Sequence, residues 1–589
     1  MKVLFVYFNV ATGNGPHYNH GIGSLSAVLN EHGHRPGLVT VEQTDFDLAP
    51  ELEDFRPDIV CLSFNSHQRS FALRAAQQIK KTLPDALLIA GGVHATHAPQ
   101  DVIDWPQIDV LVRGEGEGAL VDLAGALRQG RPYDSIDNLW LRKDGEVIRN
   151  PLRPLIRDLD DLPLADRSIF DMQRILQVNA YEMPMMAGRG CPMHCTYCCN
   201  HALSRLYKDK GSYVRFRSVG NILEEIERLQ RQYRIDTLYF EDDIFTIKSR
   251  FAVDFAEAYR RRFLIPFRIY VRVEMVTREL LATLKRAGLY MVNIGVESGS
   301  ERIRREVMKR PMSNEQIELV FQWCRELEII TRDFNIVGVP GDDEQTIRET
   351  IELNQRVLPD QIQVSIFYPY PGTQLFDQCV EQGLYSGEER TTYFENESVL
   401  ELPTISRQRI TELYQEFCDE ARAIEARKEQ VDMQRGRQGY FDFVSEFSRA
   451  QRRRGDDEMV RLDRFLINGD RRFVLFMHPR SALVYPQVEI RPDSRLQLAM
   501  ALDPKCLEWG GRGVHYRVRL ERGDEKIVVF NDFIDPKNKA IDRGWQEREV
   551  ALNNFPGTWD VVFMTDPDRT GDLTGAWSGW GRPYLEGGA

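Results

Sequence analysis

Between residue 2 and about residue 125, short β-branched runs ("KVLFVYF", "RPGLVTVE", "PDIVCLSF", "DALLIAGG", "DVLVRGEG") alternate with segments of helical period such as "GIGSLSAVLNEHG" and "FALRAAQQIKKTL". Uninterrupted apolar strands between amphipathic helices predict a parallel sheet covered on both faces, an open doubly wound α/β domain of the flavodoxin or Rossmann kind. Ligands of such sheets sit beyond the carboxyl ends of the strands, here the loops "FNVATGNGPHYNHG", "SFNSHQ", "GGVHATH" and "RGEGEG". Residues 151–175, with their prolines and alternating charges, read as an extended linker. The βα alternation then resumes, with strands expected at "MPMMAGRG", "TLYFEDD", "RIYVRVE", "MVNIGVESG", "DFNIVGVPG" and "QVSIFYPYPG". Six such units are too few for an eight-stranded barrel and predict a partial (β/α)6 barrel whose chemistry lies at the C-terminal strand ends. Residues 405–455 carry a charged helical pattern, and beyond 460 short strands separated by turn signals predict an all-β sandwich. The chain thus divides into an α/β domain (1–145), a linker (146–180), the barrel (181–400), a helical segment (401–458) and the sandwich (459–589).

Composition narrows the class. At 589 residues the chain exceeds a single core, and 42% apolar with 28% charged residues is ordinary for a globular protein. No run approaches the roughly 20 apolar residues that span a bilayer, and the N-terminus lacks a secretory pattern, so a cytoplasmic protein without a membrane span is expected. A net charge of −13 opposes a nucleic-acid partner.

Four of the nine cysteines fall in "GRGCPMHCTYCCN", residues 188–200. The scattered ones (Cys61, Cys324, Cys379, Cys418, Cys506) read as small buried hydrophobes rather than a disulfide framework. Cys191, Cys195 and Cys198 have the spacing CxxxCxxC, which lets a loop bring three thiolates to one centre. Structural zinc takes four ligands in two separated pairs, and no second pair is present. An iron–sulfur cluster with one iron left open for a small ligand fits three thiolates. Zinc, an inert loop, and His194 or Cys199 as substitute ligands stay as alternatives.

That spacing, Tyr197 directly before the third cysteine, and the downstream segments "YFEDDIF", "NIGVESGS", "NIVGVPGDDEQT" and "FYPYPGTQLF" resemble the radical S-adenosylmethionine superfamily over about 200 residues. The resemblance implies an enzyme in which Cys191, Cys195 and Cys198 hold a 4Fe-4S cluster and S-adenosylmethionine completes its open iron. The cluster's electron then releases a 5′-deoxyadenosyl radical. It further implies an electron donor such as flavodoxin or ferredoxin and a small-molecule substrate. On the same resemblance Tyr197 packs near the adenine, Asp242 accepts from the cofactor ammonium, Arg272 forks onto its carboxylate, Glu297 meets the ribose, and Gly338 and Gly341 let backbone approach the adenosine.

The N-terminal domain, with "GGVHATHAP" and "LVRGEGEGAL", is similar to the cobalamin-binding domains fused to one branch of this family. Ser63, Asn65, Gly91, Gly92 and Gly114 are then the candidates for loops lining the cobalamin. The DxHxxG pattern of axial-histidine domains is incomplete. "YNHGIG" has His20 and Gly23 at the right spacing but Tyr18 in place of the acid, so a cobalt without a protein imidazole is expected. Five tryptophans (Trp509, Trp545, Trp559, Trp577, Trp580) fall in the sandwich and read as core or seam packing, or as platforms for a sugar- or lipid-like substrate. The expected function is cobalamin-dependent methylation of an unactivated carbon. A cyclisation, rearrangement or oxidation on the same scaffold, and a non-catalytic cobalamin- or metal-binding sensor, are the alternatives.

Overall fold

The computed structural model describes residues 1–589 except 11–14, 144, 393–396, 437, 468–469, 507–512, 569–570, 572–573, 575 and 588–589. It comprises two compact units, Met1–Glu425 and Ala426–Ala589.

In the first unit, strands β1 (Lys2–Phe8), β2 (Arg35–Val41), β3 (Ile59–Ser63), β4 (Leu87–Gly91) and β5 (Val110–Val112) form a parallel sheet in the order β2-β1-β3-β4-β5. Their apolar side chains go to both faces, as the uninterrupted hydrophobic runs require. Helix Arg69–Thr82 covers one face with Phe71, Ala72, Ala75, Ala76 and Ile79. The strand order reverses between β1 and β3, the switch point at which such sheets bind ligands. An antiparallel hairpin, β6 (Leu139–Lys143) and β7 (Glu146–Arg149), extends the β5 edge. The hydrophobic pattern does not foreshadow this hairpin, and the domain boundary expected at 145 runs through it.

After β8 (Glu182–Met185) a two-residue ladder joins β9 (Gly188–Arg189) to β10 (Arg215–Phe216). Then come β11 (Thr237–Phe240), β12 (Phe267–Val271), β13 (Leu289–Glu297), β14 (Ile330–Val337) and β15 (Gln361–Ile366). With β8 these form a six-stranded parallel half-barrel in the order β8-β11-β12-β13-β14-β15. Phe240, Phe267, Ile269, Val292, Ile294 and Val296 face the helices and share one core with Val3, Phe5 and Ile89 of the first sheet. Each such side chain contributes roughly 1.5–3 kcal/mol of burial. The opposite face carries polar and aromatic rows set by the register: Tyr239, Arg268 and Met291, then Tyr270, Asn293, Arg332 and Gln361, then Gly295, Phe334 and Gln363.

The helix Arg407–Arg435 leads into the second unit, a sandwich of two antiparallel sheets. One is ordered Val460–Ile467, Asp470–Met477, Ser578–Glu586, Arg495–Leu502, Gln546–Ala551, and the other Gln451–Arg454, Ser481–Ile490, Gly557–Pro567, Val514–Arg522, Glu525–Ile534. The helical pattern expected to 458 therefore ends at Arg435. Phe441–Asp442 and Gln451–Arg454 pair into the sheets, the latter as a fully exposed arginine-rich edge strand whose composition imitates a solvated helix face. Trp559 and Trp580 lie in the sandwich core with Tyr485, Tyr516 and Phe563. Trp545 stacks on Phe465 and Trp577 packs edge-on against Phe476, both at 6.4 Å. These four are packing residues, and Trp509 lies outside the described residues.

Candidate active site

The cysteine loop hangs from the C-terminal end of β8. The carboxylate of Asp242, just beyond β11, accepts the backbone N–H groups of Ala187 at 3.0 Å and Gly188 at 2.6 Å and so fixes the start of the loop. Gly190 sits at φ +90, and a Cβ there would lie 2.2 Å from the Tyr213 carbonyl oxygen, so the close approach admits only glycine. Thr196 pins the middle of the loop. Its N–H donates to Met308 O at 3.2 Å, its hydroxyl to Val307 O at 2.6 Å, and its carbonyl accepts Leu375 N–H at 3.0 Å.

Cys191 and Cys195 are buried, and Cys198 and Cys199 are half-buried. Cys195 Sγ accepts from Arg272 Nη1 at 3.2 Å and from Arg310 Nη1 at 3.7 Å. Arg272 also holds Glu274 through two contacts, 2.6 and 3.3 Å. Its fork is therefore engaged, where the sequence analysis expected it free for a cofactor carboxylate. Tyr197 Oη lies 3.3 Å from Arg310 Nη1, and Glu297 ends β13 at φ +70 with its carboxylate 4.0 Å from the same nitrogen. Burial raises the Glu297 carboxyl, and Arg310 opposes the rise.

Burial also pushes the Cys191 thiol up to about 12, so a bound cation must supply the charge that makes it a thiolate. Among the described residues no three His, Cys, Asp or Glu side chains converge on a single metal ion, as zinc requires. A cubane instead takes each thiolate on a different iron, and three thiols with guanidinium donors beside one of them suit it.

Ser63, Gly91, Gly92 and Gly114, at the ends of β3, β4 and β5, line a chamber of about 510 Å3. Glu241, Asp242 and Asp243 line it from the barrel side. Gly114, at φ +74, lines the chamber where a Cβ would lie 1.7 Å from Tyr207 Oη, so only glycine fits there. Such a cradle of small residues at a switch point fits the flat face of a large cofactor.

Three expected residues are elsewhere. Asn65 does not line the chamber, because its N–H is tied to Gln68 Oε1 at 3.0 Å in the turn Ser66–Gln68, which folds its loop back on itself. Gly338 and Gly341 flank a turn in which Asp342 Oδ2 accepts the N–H groups of Gly338 at 2.9 Å and Val339 at 3.1 Å. A Cβ on Gly338 would meet Ile410 at 3.1 Å and one on Gly341 would meet Val307 at 3.6 Å, so both glycines face packing.

Asp243, Glu241 and Arg310 also belong to the site and were not singled out from the sequence. Asn200 Nδ2 donates to Asp243 Oδ1 at 2.7 Å, and Tyr213 Oη donates to Asn200 Oδ1 at 2.8 Å. Burial raises Asp243, while Asn200 holds it down. Burial raises Asp242 to about 7 against its backbone donors. The three carboxylates follow directly on β11, at the carboxyl end of a strand where such sheets place their sites, a signal present in "YFEDD". Glu241 Oε2 meets His20 Nε2 at 3.1 Å, and the Tyr18 ring packs edge-on against His20 at 4.9 Å.

The Radical SAM superfamily matches residues 185–353, and the B12 binding domain family matches residues 7–124. An uncharacterized methyltransferase of Pyrococcus horikoshii is 27% identical over 62% of this chain and 79% of its own. The anaerobic magnesium-protoporphyrin IX monomethyl ester cyclase of Rubrivivax gelatinosus is 26% identical over 65% and 70%. The fold is that of the radical S-adenosylmethionine methyltransferase TsrM from Kitasatospora setae, solved with cobalamin and a [4Fe-4S] cluster bound. That structure has a TM-score of 0.55 and 18% identity over 65% of this chain and 78% of that one. Two family matches in the order of the two sheets, with the cysteine loop inside the second, lead to one statement. The chain carries a Radical SAM superfamily domain joined to a B12 binding domain, and its cofactors are a 4Fe-4S cluster, S-adenosylmethionine and cobalamin.

Proposed function

We propose that this chain is a cobalamin-dependent methyltransferase that acts on an unactivated carbon of a small molecule. The observation that carries the reading is the chamber lined both by the loops of the first sheet and by the carboxylates beside the cysteine loop. When bound, the cluster with S-adenosylmethionine supplies a hydrogen-abstracting radical, and cobalamin supplies a transferable methyl group. In this reading residues 1–145 are the cobalamin domain and 181–400 the radical-generating barrel. Cys191, Cys195 and Cys198 hold the cluster, with Arg272 and Arg310 donating to the Cys195 sulfur.

The ammonium partner is reassigned from Asp242 to Asp243. Both line the chamber, but Asp242 spends its oxygens on backbone N–H groups, whereas Asp243 accepts only from Asn200, which Tyr213 in turn holds. Tyr197 and Glu297 remain beside the adenosine. Ser63, Gly91, Gly92 and Gly114 receive the cobalamin, and Glu241 occupies the His20 nitrogen that could otherwise reach cobalt.

No helix among the described residues is long and apolar enough to cross a membrane, which is compatible with a cytoplasmic enzyme reduced by flavodoxin or ferredoxin. A sugar-like substrate loses its support, since the sandwich tryptophans described are packed. Phe5, Leu25, Leu120 and Leu155 give the same chamber an apolar wall suited to the cofactor.

The test is anoxic reconstitution with iron and sulfide, then incubation with cobalamin, a reductant and S-adenosylmethionine deuterated in its methyl group. A brown protein that cleaves the sulfonium and passes the labelled methyl to cobalamin is expected. A colourless zinc protein that leaves the sulfonium intact would establish the sensor instead. Cleavage with the label never leaving the sulfonium cofactor for cobalamin would favour a cyclase or rearrangement, the class of the Rubrivivax relative.

A further inference from the structure

We propose that the middle row of the barrel's inner face seats an oxyanion, a carboxylate or a phosphate, carried by the substrate. The proposal rests on the reading above, in which residues 181–400 are the radical-generating barrel, and adds that its inner face receives substrate. The row is Tyr270, Asn293 and Arg332, neighbours across β12, β13 and β14. Alternation along β13 sends Val292, Ile294 and Val296 into the helix-side core and turns Asn293 to the inner face with Gly295 and Glu297.

Asn293 is fully buried, and neither its amide oxygen nor its amide nitrogen has a hydrogen-bond partner among the described residues. A buried amide left with both functions unmet is rare in folded proteins, and both functions here are open to a bound molecule. Beside it, half-buried Arg332 makes no ion pair among the described residues, and its guanidinium lies 5.9 Å from the Phe334 ring centroid. The barrel's other inner arginines are engaged: Arg268 with Glu182, Arg272 with Glu274 and Cys195. Arg332 alone among these is left with an open fork of N–H donors, which matches a carboxylate or phosphate.

The seat is walled and reachable. Tyr270 and Phe334 stand 6.0 Å apart as an aromatic side. Below, Glu182 with Arg268, and Tyr290 donating to Glu182 at 3.1 Å, close a polar floor. Glu241, which lines the chamber, and Arg332 both act electrostatically on Tyr270. Tyr270 thus links the row to the barrel-side wall of the chamber. A substrate whose acidic end lies at Arg332 and Asn293 extends past Tyr270 toward the cysteine loop.

Ligand-observed NMR on the full chain with butyrate, inorganic phosphate and butylamine as probes tests this. Wild type should bind butyrate or phosphate and not butylamine, and the tighter of the two names the source of the oxyanion. Arg332→Gln should weaken that binding by about tenfold or more, and Arg332→Lys by less, since charge survives without the fork. Asn293→Leu should weaken binding while keeping or raising the melting temperature, an outcome a structural asparagine would not give. Equal binding by wild type and Arg332→Gln, or equal binding of the amine, would overturn the proposal. So would an Arg332→Gln variant that loses S-adenosylmethionine binding, because the seat would then belong to the sulfonium cofactor. Cluster iron is measured in parallel. A wild-type protein that binds the anions but assembles no cluster would defeat the proposed function and leave the seat standing.

Discussion

Asp242 and Asp243 are adjacent in sequence and opposite in circumstance. The first is buried against two backbone donors, and the second is a chamber carboxylate held by Asn200. Asp243→Asn is expected to weaken S-adenosylmethionine binding by about tenfold, the loss of one charge-assisted contact, with cluster iron retained. Asp242→Ala is expected to destabilise the loop by roughly 1–3 kcal/mol, because two buried N–H groups lose their acceptor, and to lower iron retention. Calorimetric titration and iron analysis separate the two, and the reverse pattern would return the ammonium role to Asp242. Cys195→Ala should abolish cluster iron while Cys199→Ala keeps it. The cysteine loop was legible as a candidate ligand site because its spacing lets three thiols converge and the segments downstream resemble the family that uses that spacing. The aspartate was not, because choosing between neighbours needs the phase of the strand and its backbone partners, which lie 54 and 55 residues away.

At the scale of elements, the strands of both parallel sheets follow from their hydrophobic runs, whereas the β6–β7 hairpin and the arginine edge strand do not. Their short, charged or half-exposed sequences owe their conformation to a neighbouring strand rather than to a core. The turn after β14 carries a pH consequence. Burial raises Asp342 from 3.8 to about 7 although Thr346 and two backbone N–H groups oppose it. A carboxyl whose folded value lies above its unfolded one binds more protons when folded. Its contribution is therefore complete below about pH 4 and declines until about pH 7, a loss on the order of a few kcal/mol. Asp342→Asn removes that titration. Urea unfolding should show the variant gaining stability relative to wild type between pH 4 and 7 and no further above it. Parallel curves across that range would mean that the turn tolerates the charge.

At the scale of the whole molecule, the feature least legible in sequence is the seam between the first sheet and the barrel. Glu115 and Glu117, in "RGEGEG", could only be read there as loop charges. In the fold Glu117 is buried, accepts from Ser24 Oγ at 2.8 Å and pairs with Arg189 at 2.7 Å, while Glu115 pairs with Arg189 at 3.1 Å and Arg215 at 2.8 Å. Arg189 precedes the cysteine loop by two residues, so this network ties the cobalamin-side loops to the cluster-side loop. A double-mutant cycle between Glu117→Gln and Arg189→Met should return a coupling of about 1–3 kcal/mol, because each charge is desolvated and a single truncation leaves its partner unpaired. The loss should fall on one unit only. The first sheet and the barrel share a core, whereas Trp559 and Trp580 belong to the separate core of Ala426–Ala589. Far-UV circular dichroism, which reads the helices of the first unit, should shift to lower denaturant in Glu117→Gln. Tryptophan fluorescence, dominated by the sandwich, should hold its midpoint. Coincident shifts in both probes would mean that the two units unfold as one, and the network's energy would then have to be assigned to the entire chain.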